Sequence, residues 1–143
     1  MSGAKAGAIA AGAWAVAEPA LQRFAGTHYS DVRLLGRALI RGRAWPAVGT
    51  AVHLVNGAVF GAVFERAGGS GVKAAVAAAQ LENALLWPGF AIVDRFHPDR
   101  RSDYWPRLLT NRRVAMQEVV AHALFGAVLG ALTGHGNRPD PAG

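Results

Sequence analysis

The sequence predicts an all-α fold: a four-helix transmembrane bundle built from two tandem helical hairpins, with interfacial amphipathic helices in the cytoplasmic loops. Three observations lead there. The stretch Trp45 to Phe64, WPAVGTAVHLVNGAVFGAVF, is twenty residues without a formal charge, and twenty helical residues rise about 30 Å, the hydrocarbon thickness of a bilayer. The chain is 52% hydrophobic and only 17% charged, where soluble domains carry about 25% charged residues. One pattern occurs twice, as His53, Gly57, Gly61 and as His122, Gly126, Gly130.

The first helix covers about residues 3–24. Gly3, Gly7 and Ala11 form a row of small residues that lets a membrane helix approach its neighbour closely, and Pro19 should kink the last turn by removing a backbone donor. Lys5 and the apolar run ending in Ala15-Val16-Ala17 also fit a secretory signal cleaved before Glu18. The Ala-rich core suits that purpose poorly, and a retained helix is the better reading. In the loop that follows, Ser30-Asp31 caps a short helix over Val32 to Ile40. Leu34, Leu35, Ala38 and Leu39 line one side of it, and Arg33 and Arg37 the other, an arrangement suited to the membrane interface.

Trp45-Pro46 opens the second helix, about 45–65, with Pro where a lost donor costs nothing. The glycine-rich turn ERAGGSGVK (65–73) makes the second and third helices expected antiparallel neighbours. The third helix, about 72–93, holds Gln80, Glu82 and Asn83 in its middle and Trp87-Pro88 near its end. After the loop DRFHPDRRSDYWPRLLTNRR (94–113), with Phe96, Tyr104 and Trp105 as expected interface anchors, the fourth helix covers about 114–132. Residues 1–134 form one membrane domain, and 135–143 a flexible tail.

The two halves run in the same direction: an apolar helix with Pro near its end, an arginine-rich loop, then a helix of pattern His-x3-Gly-x3-Gly. Eleven arginines (Arg23, Arg33, Arg37, Arg41, Arg43, Arg95, Arg100, Arg101, Arg107, Arg112 and Arg113) fall on one side of the spans, against Lys5, Arg66, Lys73 and Arg138 on the other. The excess places both long loops in the cytoplasm and both termini outside, in a multi-pass protein of the cytoplasmic membrane. Arg33, Arg37, Arg41, Arg43, Arg100, Arg101, Arg112 and Arg113 are then candidates for lipid-phosphate contacts. The net charge of +6 sits in loops rather than along one helix face, which argues for lipid head groups and against nucleic acid.

Ionisable residues inside a membrane are costly and mark function more often than not. His53, Asn56, Glu82, Asn83, Glu118 and His122 are therefore the candidate site for a small ligand or a proton, with Glu82 the sharpest because it lies far from any helix end. The bland alternative is that these side chains only hydrogen-bond between helices while the glycines pack. A second functional reading uses His53 and His122, at similar depth and flanked by glycine, as ligands of haem b or another metal in a redox protein. A third makes the chain a scaffold or assembly subunit whose glycine faces meet a membrane partner or a second copy. Cys is absent, which excludes disulfides and thiolate chemistry. No phosphate-cradling loop, nucleophile elbow or glycosidase carboxylate pair is present, so a non-enzymatic role is expected.

His97-Pro98-Asp99 resembles the J-domain signature of Hsp40 co-chaperones over three residues only, and a simple turn explains it better. The phrases GRALIRGRAWPAVGTAVHLVNGAVFGAVF and ENALLWPGFAIVDRFHPDRR resemble small uncharacterised multi-pass membrane proteins of actinobacteria. That resemblance implies a membrane location and no particular activity.

Overall fold

A computed structural model describes residues 1–134. The helices are α1 (Gly3–Ala25), α2 (Asp31–Leu39), α3 (Trp45–Arg66), α4 (Val72–Leu86), α5 (Phe90–Phe96), α6 (Pro98–Arg101) and α7 (Arg112–Thr133), and there is no strand among the described residues. The expected tail, 135–143, lies outside them.

Local chemistry sets the helix limits. Gly26 ends α1 in the left-handed region (φ 65°), and the N–H groups of Gly26 and Thr27 donate to the carbonyls of Arg23 and Gln22. Pro19 lies within α1 without ending it. Ser30 caps α2 by accepting from the Arg33 N–H at 3.0 Å. Pro46 stands in the first turn of α3, and Asn111 caps α7 by accepting from Arg113 and Val114. The expected third helix, 72–93, is broken: Trp87-Pro88-Gly89 tightens into a 3₁₀ turn, because Pro88 supplies no N–H. The chain then continues as α5.

Among the described residues three helical stretches are long and apolar enough to cross a membrane: Trp45–Arg66, Val72–Phe96 and Arg112–Thr133. By that measure three helices qualify rather than the expected four, and α1 does not. α1 falls short because Ala and Gly dominate it and Lys5 and Glu18 interrupt it. It is packed against both α3 and α7.

The packing order is α3–α1–α7–α4. α3 and α4 are joined by the turn at 67–71 but are not among the closely packed pairs, contrary to the expectation that they are neighbours. The small residues decide this. Gly57 and Gly61 face Gly7 and Gly3 of α1, while Gly126 and Gly130 face the Ala75-Val76 and Gly71-Val72 backbone at the start of α4. Both seams run antiparallel. α2 lies against the start of α3 through Gly36 and Gly49, so closely that a methyl at either would strike backbone.

One apolar cluster fills the seams: Ala6, Ala10, Ala11 and Trp14 of α1, Phe64 of α3, Ala75 and Ala79 of α4, and Ala121, Phe125 and Leu129 of α7. A second, built from Tyr29, Phe90, Trp105, Leu108 and Val114, closes the end where the long loops lie. Trp105, expected at the interface, is instead 1% exposed. Its indole N–H donates to the His28 carbonyl at 3.0 Å, and its ring stacks on His97 at 5.0 Å. Phe96 and Tyr104 do remain exposed.

The same end is tied by ion pairs. Asp99, 1% exposed, accepts from Arg33 Nε at 2.8 Å and from the second Arg33 nitrogen at 3.1 Å, with Arg37 Nε at 3.5 Å. Arg33 and Arg37 are thus turned onto Asp99. Arg100 pairs with Asp94 at 3.2 Å, and Arg113 reaches the Gly26 carbonyl at 3.5 Å, whereas Arg41, Arg43, Arg101 and Arg112 are exposed. His97 caps α6 and holds α2: its Nδ1 accepts from the Asp99 N–H at 3.2 Å, and its Nε2 donates to the Leu34 carbonyl at 3.1 Å. The His-Pro-Asp tripeptide is therefore a structural turn.

Candidate functional site

The long helices bury polar groups and expose apolar ones. Glu18, His53, Asn83, Gln117, Glu118 and His122 are buried, while Val16 is 84% exposed, Leu85 70% and Val59 58%. Water would favour the reverse, and lipid favours this arrangement.

The buried polar groups gather because of helix periodicity. On α1, Gly3, Gly7, Ala11, Trp14 and Glu18 follow one another at three- and four-residue spacing and so share a face. On α3 the face is Gly49, His53, Gly57 and Gly61, and on α7 it includes Glu118, His122, Phe125 and Gly126. With α1 packed between α3 and α7, the Trp14 ring meets His53 edge-on at 5.1 Å and His122 at 4.7 Å.

These side chains border a cavity of about 310 Å³. Its wall is made by α1 (Ala11, Trp14), α3 (His53, Asn56, Gly57, Phe60), α4 (Glu82, Asn83, Leu86) and α7 (Glu118, His122, Phe125). The loop end adds Tyr29, Asp31, Leu34 and Leu35, together with Trp87, Gly89, Phe90 and Val93. Asn56 and Leu86 of this wall are exposed and lie on α3 and α4, which are not among the closely packed pairs. These two residues mark an exposed edge of the wall between α3 and α4.

All six residues singled out from the sequence (His53, Asn56, Glu82, Asn83, Glu118 and His122) border this one cavity. Three further contributors were not singled out: Trp14, Tyr29 and Asp31. In the sequence Asp31 presents itself only as part of a helix cap, and the stripe Gly7-Ala11-Trp14-Glu18 is the signal that points to Trp14.

At the loop end Glu18 accepts from the Ser30 hydroxyl at 2.6 Å and from the Asp31 N–H at 2.7 Å. The Tyr29 hydroxyl donates to Asp31 Oδ1 at 2.8 Å. Gln117 bonds the Tyr29 carbonyl at 3.0 Å and the Thr27 hydroxyl, which fixes this segment against α7. The Asp31 and Glu118 carboxyl groups then lie within hydrogen-bonding reach of each other. Burial first, and the Glu18 carboxylate second, push the Asp31 carboxyl up to about 7. His122 Nδ1 lies 2.8 Å from the Glu118 carbonyl and so donates to it, leaving Nε2 as the lone-pair nitrogen.

What remains unsatisfied is informative. Among the described residues the buried side-chain atoms without a hydrogen-bond partner are Trp14 Nε1, Asp31 Oδ2, Arg37 Nε, His53 Nε2 and Glu118 Oε1. Four of these five belong to residues bordering the cavity, although a buried orphan of this kind costs about 1–3 kcal/mol. No known family, curated relative or solved structure matches the chain. The site must therefore be judged on its own chemistry. Among the described residues no group of three or more His, Cys, Asp or Glu side chains is placed to hold a metal ion. His53 and His122 both pack on Trp14, so a planar group ligated by the pair would have to displace the indole. This donor set does not fit haem.

Proposed function

We propose that this is an integral membrane protein whose cavity, open to the bilayer between α3 and α4, binds a small ligand or a proton. The observation that carries the reading is the convergence of buried polar groups of Trp14, Asp31, His53 and Glu118 around one space, where Trp14 Nε1 has no partner and the Asp31 and Glu118 carboxyls have only each other for their remaining oxygens. Packing alone gives no reason to gather under-satisfied polar groups at one space. α1 joins the three apolar helices in the membrane in this reading, since it lies beside α3 from Gly3 and Gly61 to Trp14 and His53. Its Glu18 then enters with its partners Ser30 and Asp31.

In the same reading α2 and the arginine-rich loops face the cytoplasm, both termini face outside, and Arg41, Arg43, Arg101 and Arg112 meet lipid phosphate. The two His-x3-Gly-x3-Gly helices, each packed by glycine on the helix that opens its half, are the remnants of a duplicated hairpin.

Because the chain has no Cys, a single introduced thiol can probe the cavity. Asn83→Cys, on the cavity wall, should react with a small polar methanethiosulfonate, and Ala79→Cys, buried in the α4–α7 side of the core, should not. Equal, slow labelling at both positions would remove the accessible cavity and the proposal with it.

A further inference from the structure

Resting on that reading, we infer that the ligand is a small organic cation with an apolar body, such as a protonated or quaternary amine, seated between aromatic rings and carboxylates and in competition with a proton. The lining carries the carboxyl groups of Asp31, Glu82 and Glu118 and contains no Lys or Arg. Among the described residues every Lys and Arg is therefore kept off the wall, and the nearby Arg33 and Arg37 are turned onto Asp99 instead.

The aromatic content points the same way. Trp14, Tyr29, Phe60, Trp87, Phe90 and Phe125 all border the space, and ring faces attract cations, most strongly when water is excluded. A metal ion would need more oxygen or nitrogen ligands than are placed here. An anion would meet three carboxyl groups and no fixed positive charge. Two of the orphaned atoms, Asp31 Oδ2 and Glu118 Oε1, are acceptors. They can be satisfied either by one proton shared between the two carboxyls or by the cation.

The competing proton has several neighbours: Glu18 from α1, Tyr29 and Asp31 before and in α2, His53 from α3, Glu82 from α4, and Glu118 with His122 from α7. Acidification fills the carboxyls and charges the imidazoles, and both changes disfavour a cation. The opening between α3 and α4 gives an apolar amine a path in from lipid, with Asn56 and Leu86 at the rim.

The test uses three compounds of one shape in lipid nanodiscs: benzyltrimethylammonium (cation), neopentylbenzene (neutral) and benzylsulfonate (anion), read by quenching of indole fluorescence. The cation should bind at least tenfold more tightly than the other two, more weakly at pH 5 than at pH 8, and at least tenfold more weakly to Glu118→Gln. Glu82→Gln provides the same readout should Glu118→Gln fail to fold, since Glu82 is half-buried and makes no hydrogen bond. Equal binding of cation and neutral compound would overturn the cation assignment while leaving a ligand cavity. Tighter binding of the anion would overturn the charge argument. No response to the cation, with Asn83→Cys still labelled, would sink the inference alone. The same silence with Asn83→Cys unlabelled would remove the cavity beneath it.

Discussion

Replacing Gly57 by alanine tests whether the close α1–α3 seam organises the molecule. A Cβ at this position would lie 2.5 Å from the Ala11 Cβ and 2.6 Å from the Gly7 carbonyl oxygen, both part of or next to the α1 backbone. Neither obstacle is the free end of a flexible chain, so the helices must separate by about 1 Å to regain ordinary contact, the kind of overpacking that costs roughly 1–3 kcal/mol. Alanine's better helix propensity offsets at most about 1 kcal/mol. The net loss should lower the apparent Tm in detergent by a few degrees, and by roughly 4–12 °C if the full overpacking cost is felt. Gly12→Ala is the matched control, because its Cβ would meet only Leu54 Cδ2 at 3.7 Å. That variant should be neutral or slightly stabilised. If Gly57→Ala proves no less stable than Gly12→Ala, the seam does not hold the helices as described.

Other outcomes follow from the loop end and from the topology. Asp99→Ala leaves Arg33 and Arg37 without their carboxylate, a loss of about 2–4 kcal/mol for a pair buried on one side, and tryptic cleavage at Arg100 and Arg101 should accelerate. Unchanged cleavage would show that the Arg33–Asp99 contact does not pin this loop. The Asp31 carboxyl keeps its proton up to about 7 in the folded chain, against 3.8 when free, so the folded state binds more protons between those values. Stability should therefore fall as pH rises from about 4 to 7, and Asp31→Asn should flatten that slope relative to the parent. The same slope in both proteins would contradict the burial of this group. For orientation, Ser102→Cys should label with an impermeant thiol reagent only from the cytoplasmic side and Ser70→Cys only from the outside. The reverse pattern would invert the topology.

The helices were the most legible part of the chain. A charge-free run, the Ser30-Asp31 cap and the glycine-rich turn at 65–73 are local signals, and the observed limits of α1 and α3 agree closely with the expected ones. The small-residue faces were legible too, because three- and four-residue spacing reads directly as a helix face. What glycine spacing could not state was which face meets which. A tight turn at 67–71 suggested that α3 and α4 pair, but each finds a closer fit elsewhere, α3 on α1 and α4 on α7. Closeness in sequence yielded to closeness of fit. Four residues of the cavity wall were legible, His53, Glu82, Glu118 and His122, where polar residues interrupt apolar helices. Asp31 and Tyr29 were invisible as cavity residues because α2 must dock before they reach it, and that docking depends on contacts as distant in sequence as Arg33 with Asp99. Trp105 misled for a related reason: an aromatic beside arginines fits an interface equally well until His28 and His97 are seen to cover it.

Everything functional here rests on exposed valines and leucines facing lipid while carboxyl groups face inward. The most direct measurement is the behaviour of the 14.9 kDa chain when its membranes are washed with alkaline carbonate and the pellet is then extracted. The account predicts that the protein stays in the pellet, leaves it only with detergent, and aggregates when detergent is withdrawn. A protein released by the wash and monodisperse in plain buffer would contradict it.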